Sequence, residues 1–310
     1  MELRAAMARV PWSGVFSALA TPYAPSGSIE WGQLRELIDL LIEEGVAGLV
    51  VAGSTGEYYS QSASERLELF RSVKEHVGDK GKLIAGTSAL SQTETLDLTM
   101  QAKSLGFDGC MILPPVYCLP TAPETRRYFE EVAAIGLPVM IYNNPARVGV
   151  GLSPSQTAEL AKIPNVAAYK ESARDLYAIA ETYYATREEL AHFAGLEPYA
   201  GALLSRGASG IVSTISNVCA REVVNYYRAF REKDADALSR NQQVIDQLYH
   251  LLAKSGLSNF AFVKTAMASI GRPGGVTRAP HIMGNAEQAR QIGAAIAKIY
   301  ESARLPLRRK

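Results

Sequence analysis

The chain has 310 residues and a mass of 33.5 kDa, enough for one large domain or two ordinary ones. Its 32 lysines and arginines against 31 acidic residues leave a formal net charge of +1, which gives no sign of a polyanion partner such as a nucleic acid. With 47 % hydrophobic and 20 % charged residues a sizeable core is affordable, and global disorder is excluded. Three cysteines, Cys110, Cys118 and Cys219, are too sparse and too odd for a disulfide scaffold and point to a reducing, cytoplasmic setting. Residues 1–11 carry Arg4 and Arg9 but lack the long apolar stretch of a signal peptide. No apolar run approaches about 18 residues, so no membrane span is expected. The closing Leu-Arg-Arg-Lys reads as a solvated tail.

In chain order, short apolar runs alternate with amphipathic stretches. The strand candidates are 15–19, 48–52, 82–85, 109–113, 138–142, 166–169, 191–194 and 210–212. The helix candidates between them are 29–44, 64–77, 92–105, 122–135, 154–161, 175–186 and 199–206. The strand runs lack polar alternation, as expected for strands buried on both faces of a parallel sheet. Eight such units predict a closed (β/α)8 TIM barrel. An open doubly wound sheet fits less well, and no GxGxxG follows the first strand. From about residue 215 the pattern turns helical, over 220–231, 235–252, 260–270 and 285–302, with a Gly/Pro loop at 271–280. This divides the chain into a catalytic barrel, 1–225, and a C-terminal helical extension, 226–310.

In a barrel the reacting groups stand at the C-terminal ends of the strands. Lys170 directly follows the sixth run and presents its amine toward the barrel mouth, where partial desolvation favours a free amine able to attack a carbonyl. Alone, such a lysine is more often paired with a carboxylate or snorkelling to solvent. Its neighbours change that reading. Tyr142 ends the adjacent strand at an equivalent height, and a phenol beside an amine can relay protons during carbinolamine formation and dehydration; in isolation it reads as a packed barrel tyrosine. Ser54 and Thr55 offer hydroxyls and N–H groups between Gly53 and Gly56, which let the backbone approach a carboxylate. Arg147 suits a bidentate carboxylate contact or, equally, the holding of its own loop. Glu57 fits helix capping or loop orientation better than acid–base work.

Other chemistries find little support. His76, His192, His250 and His281 show no metal-ligand spacing, and His192 reads as a core contact. No GxSxG elbow or Walker A loop is present. Cys118 has no assigned base. Arg126-Arg127 and Arg308-Arg309-Lys310 read as solvated faces.

Three separated pieces, Gly53-Ser54-Thr55-Gly56-Glu57, Tyr142-Asn143-Asn144-Pro145-Ala146-Arg147-Val148-Gly149 and Lys170-Glu171-Ser172, resemble in content and order the family of dihydrodipicolinate synthase and N-acetylneuraminate lyase. Ala20-Thr21-Pro22-Tyr23, Gly207-Ala208-Ser209-Gly210 and Val263-Lys264 extend the likeness over nearly the whole chain. The resemblance implies a homotetrameric TIM barrel and a class I lyase mechanism with neither metal nor other cofactor. Lys170 would form a Schiff base with pyruvate or another 2-keto acid, and Tyr142 would relay protons. Ser54 and Thr55 would hold the carboxylate, and Ile211 would line the bound acid. Tyr117 would cross a dimer interface and complete a hydroxyl relay with Tyr142 and Ser54. Arg147 would anchor the aldehyde substrate.

Three departures bear on the substrate. Serine stands at position 54 where the synthases usually have threonine, and Val116 replaces the first of two loop tyrosines. Glu197 matches the first of an acidic pair that contacts substrate hydroxyls in the neuraminate lyase branch, but Pro198 takes the place of the second. The leading expectation is therefore a pyruvate-dependent lyase resembling 4-hydroxy-tetrahydrodipicolinate synthase, which condenses pyruvate with aspartate semialdehyde. The alternatives are a 2-keto-3-deoxy sugar acid aldolase or dehydratase, a neuraminate lyase, or a catalytically inactive barrel serving binding or assembly.

Overall fold

A computed structural model of the protein describes residues 10–307, so both Arg4 and Arg9 and the basic tail lie outside the described residues. Eight strands pair in chain order as a closed barrel: β1 (Gly14–Ala18), β2 (Gly48–Val51), β3 (Lys82–Gly86), β4 (Gly109–Ile112), β5 (Val139–Asn143), β6 (Val166–Glu171), β7 (Ala191–Ala194) and β8 (Gly210–Ser213). Nearly every strand residue is buried, which is why the runs carry no polar alternation. By internal contacts the chain forms two compact units. One holds the described residues up to Gly14 and Ser62–Val212; the other holds Val15–Gln61 and Ser213 onward.

In the first unit the strand pairs β3–β4 through β7–β8 are all parallel. The β5–β6 pair sets Tyr142 opposite Lys170 and Asn143 opposite Glu171. Both strands run further than their apolar runs suggest, so Lys170 lies within β6 instead of after it. Gly210 permits a close passage of chain: a Cβ there would sit 2.0 Å from the Gly14 carbonyl oxygen. The helices begin at residues suited to the task. Ser62 with Glu65, Thr121 with Glu124, and Ser153 with Gln156 form reciprocal capping boxes, and the Asp175 carboxylate accepts from the N–H groups of Tyr177 and Ala178. Arg126 and Arg127 pair with Glu130, Glu159 and Glu131 on exposed helix faces, as solvated charges do. His192 is a core residue, its Nε2 2.9 Å from the Thr186 hydroxyl and its ring against Tyr169 and Tyr183.

In the second unit β1 and β2 pair parallel, and four helices follow β8: Ser216–Glu232, Ala235–Lys254, Asn259–Ser269 and Ala286–Ser302. The Asn217 amide donates to Ala18 O and accepts from Ala20 N, tying the first of these helices to the end of β1. The last helix buries Ile292, Ile296 and Ile299 along one face, a burial of about 1.5–3 kcal/mol per side chain. The helix Asn259–Ser269 is buried from Phe260 to Met267, Lys264 included. The loop predicted at 271–280 is held to the first βα turn by an isolated antiparallel bridge between Tyr23 and Val276. Among the described residues no helix is long and apolar enough to cross a membrane.

Candidate active site

Lys170 is 3 % exposed, and β6 fixes its backbone between Tyr142 on β5 and Phe193 on β7. Its Nζ lies 3.8 Å from the centroid of the Tyr142 ring, on the ring face. Tyr142 is itself buried, and the Asn144 amide donates a 2.7 Å hydrogen bond to its phenol oxygen. Burial works to raise the pKa of this phenol. The Lys170 ammonium, the Asn144 amide and the charge of Arg147 outweigh burial and hold Tyr142 below its ordinary value.

A second layer fixes the strand ends. Glu171 accepts from Asn143 Nδ2 at 2.9 Å, from Tyr169 Oη at 3.0 Å and from the Ala173 N–H at 2.7 Å. Asn143 Oδ1 accepts from the Leu152 N–H at 3.1 Å, so one amide ties β5, β6 and the loop after β5 together. Burial raises the Glu171 carboxyl despite these donors. At the end of β7, Gly195 faces Lys170. A Cβ there would lie 3.0 Å from Lys170 Cε, 2.8 Å from Glu171 O and 2.1 Å from Ser172 Oγ. Only glycine leaves the lysine stem its path.

The remaining candidates of this unit are spread around the strand ends. Arg147 is exposed on a one-turn helix, Pro145–Val148, closed by Gly149 at φ 87°. Ile211 and Glu197 are fully buried, the first paired with Ala194 across β7–β8 and the second opening the turn Glu197–Tyr199. Tyr117 is 87 % exposed with φ 75°, and its neighbour Cys118 is exposed as well.

In the other unit Ser54, Thr55 and Gly56 form a single 3-10 turn directly after β2. Thr55 is buried and its hydroxyl lies 3.0 Å from that of Thr214. Glu57 follows in the left-handed region at φ 60°, which turns its carboxylate inward. There Glu57 Oε1 lies 2.6 Å from Lys264 Nζ, and Oε2 accepts from the Arg278 N–H at 2.9 Å. Both side chains of the ion pair are essentially without exposure. Lys264 also donates to Thr21 O and Val276 O, each at 2.7 Å. Gly56 O accepts from the Tyr23 phenol at 3.2 Å and the Gln61 amide at 3.0 Å. The guanidinium of Arg278 covers the Tyr23 ring at 4.3 Å. Burial pushes the Tyr23 phenol up to about 12 and the Lys264 ammonium down to about 8, the latter partly restored by Glu57. Glu57 thus orients a loop, one of the two roles its sequence position suggested. Tyr59 packs on Phe260 and donates to or accepts from His281 Nε2 at 2.7 Å.

Asn144 and Gly195 in the one unit, and Thr214 and the Lys264 cluster in the other, are residues that sequence reasoning gave no role. An asparagine just before a helix-starting proline carries the signal of a cap. Gly195 carries the signal of a strand-end glycine. Neither signal separates a structural from a chemical role.

A profile of the dihydrodipicolinate synthetase family matches residues 11–299. The chain is 46 % identical over 277 residues to a Rhizobium meliloti protein named an uncharacterized DapA-like lyase, covering 89 % of this chain and 92 % of that protein. It is 31 % identical over 286 residues to the 4-hydroxy-tetrahydrodipicolinate synthase of Moorella thermoacetica, covering 92 % and 97 %. Among solved structures, YagE of E. coli K12 in complex with pyruvate superposes with a TM-score of 0.88 at 25 % identity, covering 96 % of this chain and all (100 %) of that one.

Proposed function

The chain belongs to the dihydrodipicolinate synthetase family, and from that premise we propose that it is a lyase that binds pyruvate as a Schiff base on Lys170. The observation that carries the reading is the buried Lys170 amine on the face of a buried, acidified phenol. Among the described residues no carboxylate forms an ion pair with this buried amine, which suits nucleophilic attack better than structural pairing.

The neutral amine attacks the keto carbon, and the carbonyl pair moves to oxygen, which takes a proton from Tyr142. The resulting phenolate accepts a proton from the new ammonium centre. Tyr142, protonated again, gives this proton to the carbinolamine hydroxyl, so that water leaves while the nitrogen lone pair forms the C=N bond and the phenolate is left behind. The iminium then serves as electron sink: the Tyr142 phenolate takes a methyl proton, and the C–H pair moves into an enamine, the carbon nucleophile. No step in this sequence calls on a metal. The carboxylate of the keto acid is assigned to Ser54 and Thr55, with Ile211 lining it and Arg147 reserved for the second substrate, as the family resemblance implies.

Aspartate semialdehyde is the proposed second substrate, making the activity that of 4-hydroxy-tetrahydrodipicolinate synthase; the Moorella relative bears that name. The second reading is an aldolase or dehydratase of a 2-keto-3-deoxy sugar acid, neuraminate lyase included. Ser54, Val116 and Glu197 favour it, and the relative named only a DapA-like lyase is compatible with either. A cytoplasmic homotetramer with Tyr117 crossing a dimer interface completes the proposal; the exposure of Tyr117 in the single chain fits that role.

Borohydride reduction in the presence of pyruvate, followed by intact mass and peptide mapping, tests the reading. The expected result is a reduced pyruvyl adduct on Lys170, absent in K170A. A folded protein that traps neither pyruvate nor any other 2-keto acid would sink it and return the inactive barrel. A trapped adduct licenses a panel of aspartate semialdehyde against sugar acids.

A further inference from the structure

Asn144 occupies the N-cap position of the one-turn helix Pro145–Val148, where its main-chain carbonyl accepts from the N–H groups of Arg147 and Val148, both at 3.1 Å. An asparagine there ordinarily turns its side chain onto the helix N-terminus. This one makes no side-chain cap bond. Its amide instead reaches back two residues and donates to the Tyr142 phenol oxygen at 2.7 Å, in a buried setting. The neighbouring Asn143 does the opposite kind of work, bonding Glu171 and the Leu152 N–H. The local fold is therefore secured without the Asn144 amide, and that amide is spent on the phenol whose ring faces Lys170.

A donor on a phenol oxygen has two consequences. It occupies a lone pair, so the phenolic proton must point elsewhere. It also stabilises the phenolate more than the phenol, because a hydrogen bond to an ion is stronger than one to a neutral oxygen. A proton shuttle in imine formation has to give a proton and take one back in the same turnover, which works best when neither form is strongly preferred. The charged groups acting on this phenol are Lys170 from β6 and Arg147 from the short helix. Both are cations whose field favours the same ionised form.

We infer that Asn144 is a positioning residue for Tyr142: by donating to the phenol oxygen it aims the phenolic proton away from itself and makes the phenolate accessible during imine formation on Lys170. The inference rests on the Schiff-base reading for its catalytic half. Its acid–base half stands on the hydrogen bond alone.

Two measurements separate the halves. The first is a pH titration of protein carrying 13Cζ-labelled tyrosine, with the Tyr142 resonance assigned by its absence in Y142F. N144V removes the donor. N144D, nearly isosteric, replaces it with a group that only accepts, and guards against a valine variant that fails to fold. Both variants are expected to move the Tyr142 midpoint upward by about one pH unit or more, N144D further than N144V. A midpoint that stays or falls in a folded variant overturns the inference. The second is the rate of borohydride-trappable imine formation near neutral pH. It should drop about tenfold in N144V, follow the shifted midpoint along the pH axis, and keep the same half-saturating pyruvate concentration. A midpoint shift with no change in rate overturns the catalytic half, as does an equal loss at every pH, which marks a merely structural defect. If the wild type itself traps no keto acid, the Schiff-base reading fails, while the titration still decides the role of the hydrogen bond.

Discussion

Lys264→Met is the most informative single change beneath the Ser54–Gly56 turn. It keeps the length and apolar body of the side chain and deletes the cation 2.6 Å from Glu57 Oε1. Glu57 would then remain buried with the Arg278 N–H as its named donor, at 2.9 Å. Leaving one member of a buried ion pair behind costs about 3–5 kcal/mol. The carbonyls of Thr21 and Val276 also lose their donor, which keeps the estimate at the upper end. For a chain of this length the unfolding entropy converts that loss to a fall in Tm of about 5–8 °C. Adding Glu57→Gln removes the stranded charge, so the double variant should regain at least about 2 kcal/mol over K264M.

The pair also sets a pH signature. The Lys264 ammonium is held down to about 8 in the folded chain, against its ordinary 10.5. Between those values the folded protein has already given up a proton that the unfolded chain still binds. The contribution of this group to stability therefore rises with pH across that window. K264M lacks the titration, so the gap in denaturation midpoint between wild type and K264M should widen from pH 8 towards pH 10.5. Chemical denaturation at a series of pH values measures it. A loss below about 1 kcal/mol, a double variant no better than the single one, or a gap that narrows with rising pH would each refute the reasoning.

Gly195→Ala places a methyl group 3.0 Å from Lys170 Cε and 2.1 Å from Ser172 Oγ; adduct formation with pyruvate should fall by about a hundredfold with far-ultraviolet circular dichroism unchanged. Removing the nearer obstacle in G195A/S172A should restore part of that loss, and no restoration would disprove the steric account. Thr55→Val deletes a hydroxyl bonded at 3.0 Å to Thr214; half-saturating pyruvate should rise about tenfold while the maximal trapping rate holds, as for a lost binding contact. Sedimentation of Tyr117→Arg should show a smaller assembly than the wild type if the exposed loop tyrosine lies in an interface; an unchanged species would remove it from that role.

Much of the fold was legible because buried parallel strands write themselves as short apolar runs, and all eight runs became strands. The ends of β5 and β6 were not legible, since Asn143, Lys170 and Glu171 interrupt the apolar pattern while remaining buried. Polar residues inside a barrel strand are tolerated there because each finds a partner, and partners from distant segments leave no trace in a local pattern. Lys170 and Tyr142 could be read from spacing and resemblance together. Asn144 could not, because the same residue type before a proline reads as a cap. Lys264 was visible only as part of a matching dipeptide, and its physical use emerged when the helix Asn259–Ser269 brought it to Glu57.

The pairing of Tyr142 with Lys170 across β5 and β6 has a wider consequence. Adjacent strands stand about 4.8 Å apart, and a slip of one residue would turn both side chains to the opposite face. The distance between amine and phenol is therefore inherited from main-chain hydrogen bonding and owes little to the connecting loops. Beyond Asn144 and Gly195, which touch the pair directly, those loops are free to vary in length and sequence without moving the amine from the phenol. Exchanging the segments beyond Asn144 and beyond Gly195 between relatives should change which second substrate is accepted while pyruvate trapping on Lys170 stays intact, so that one inherited pair of strands can serve many acceptors.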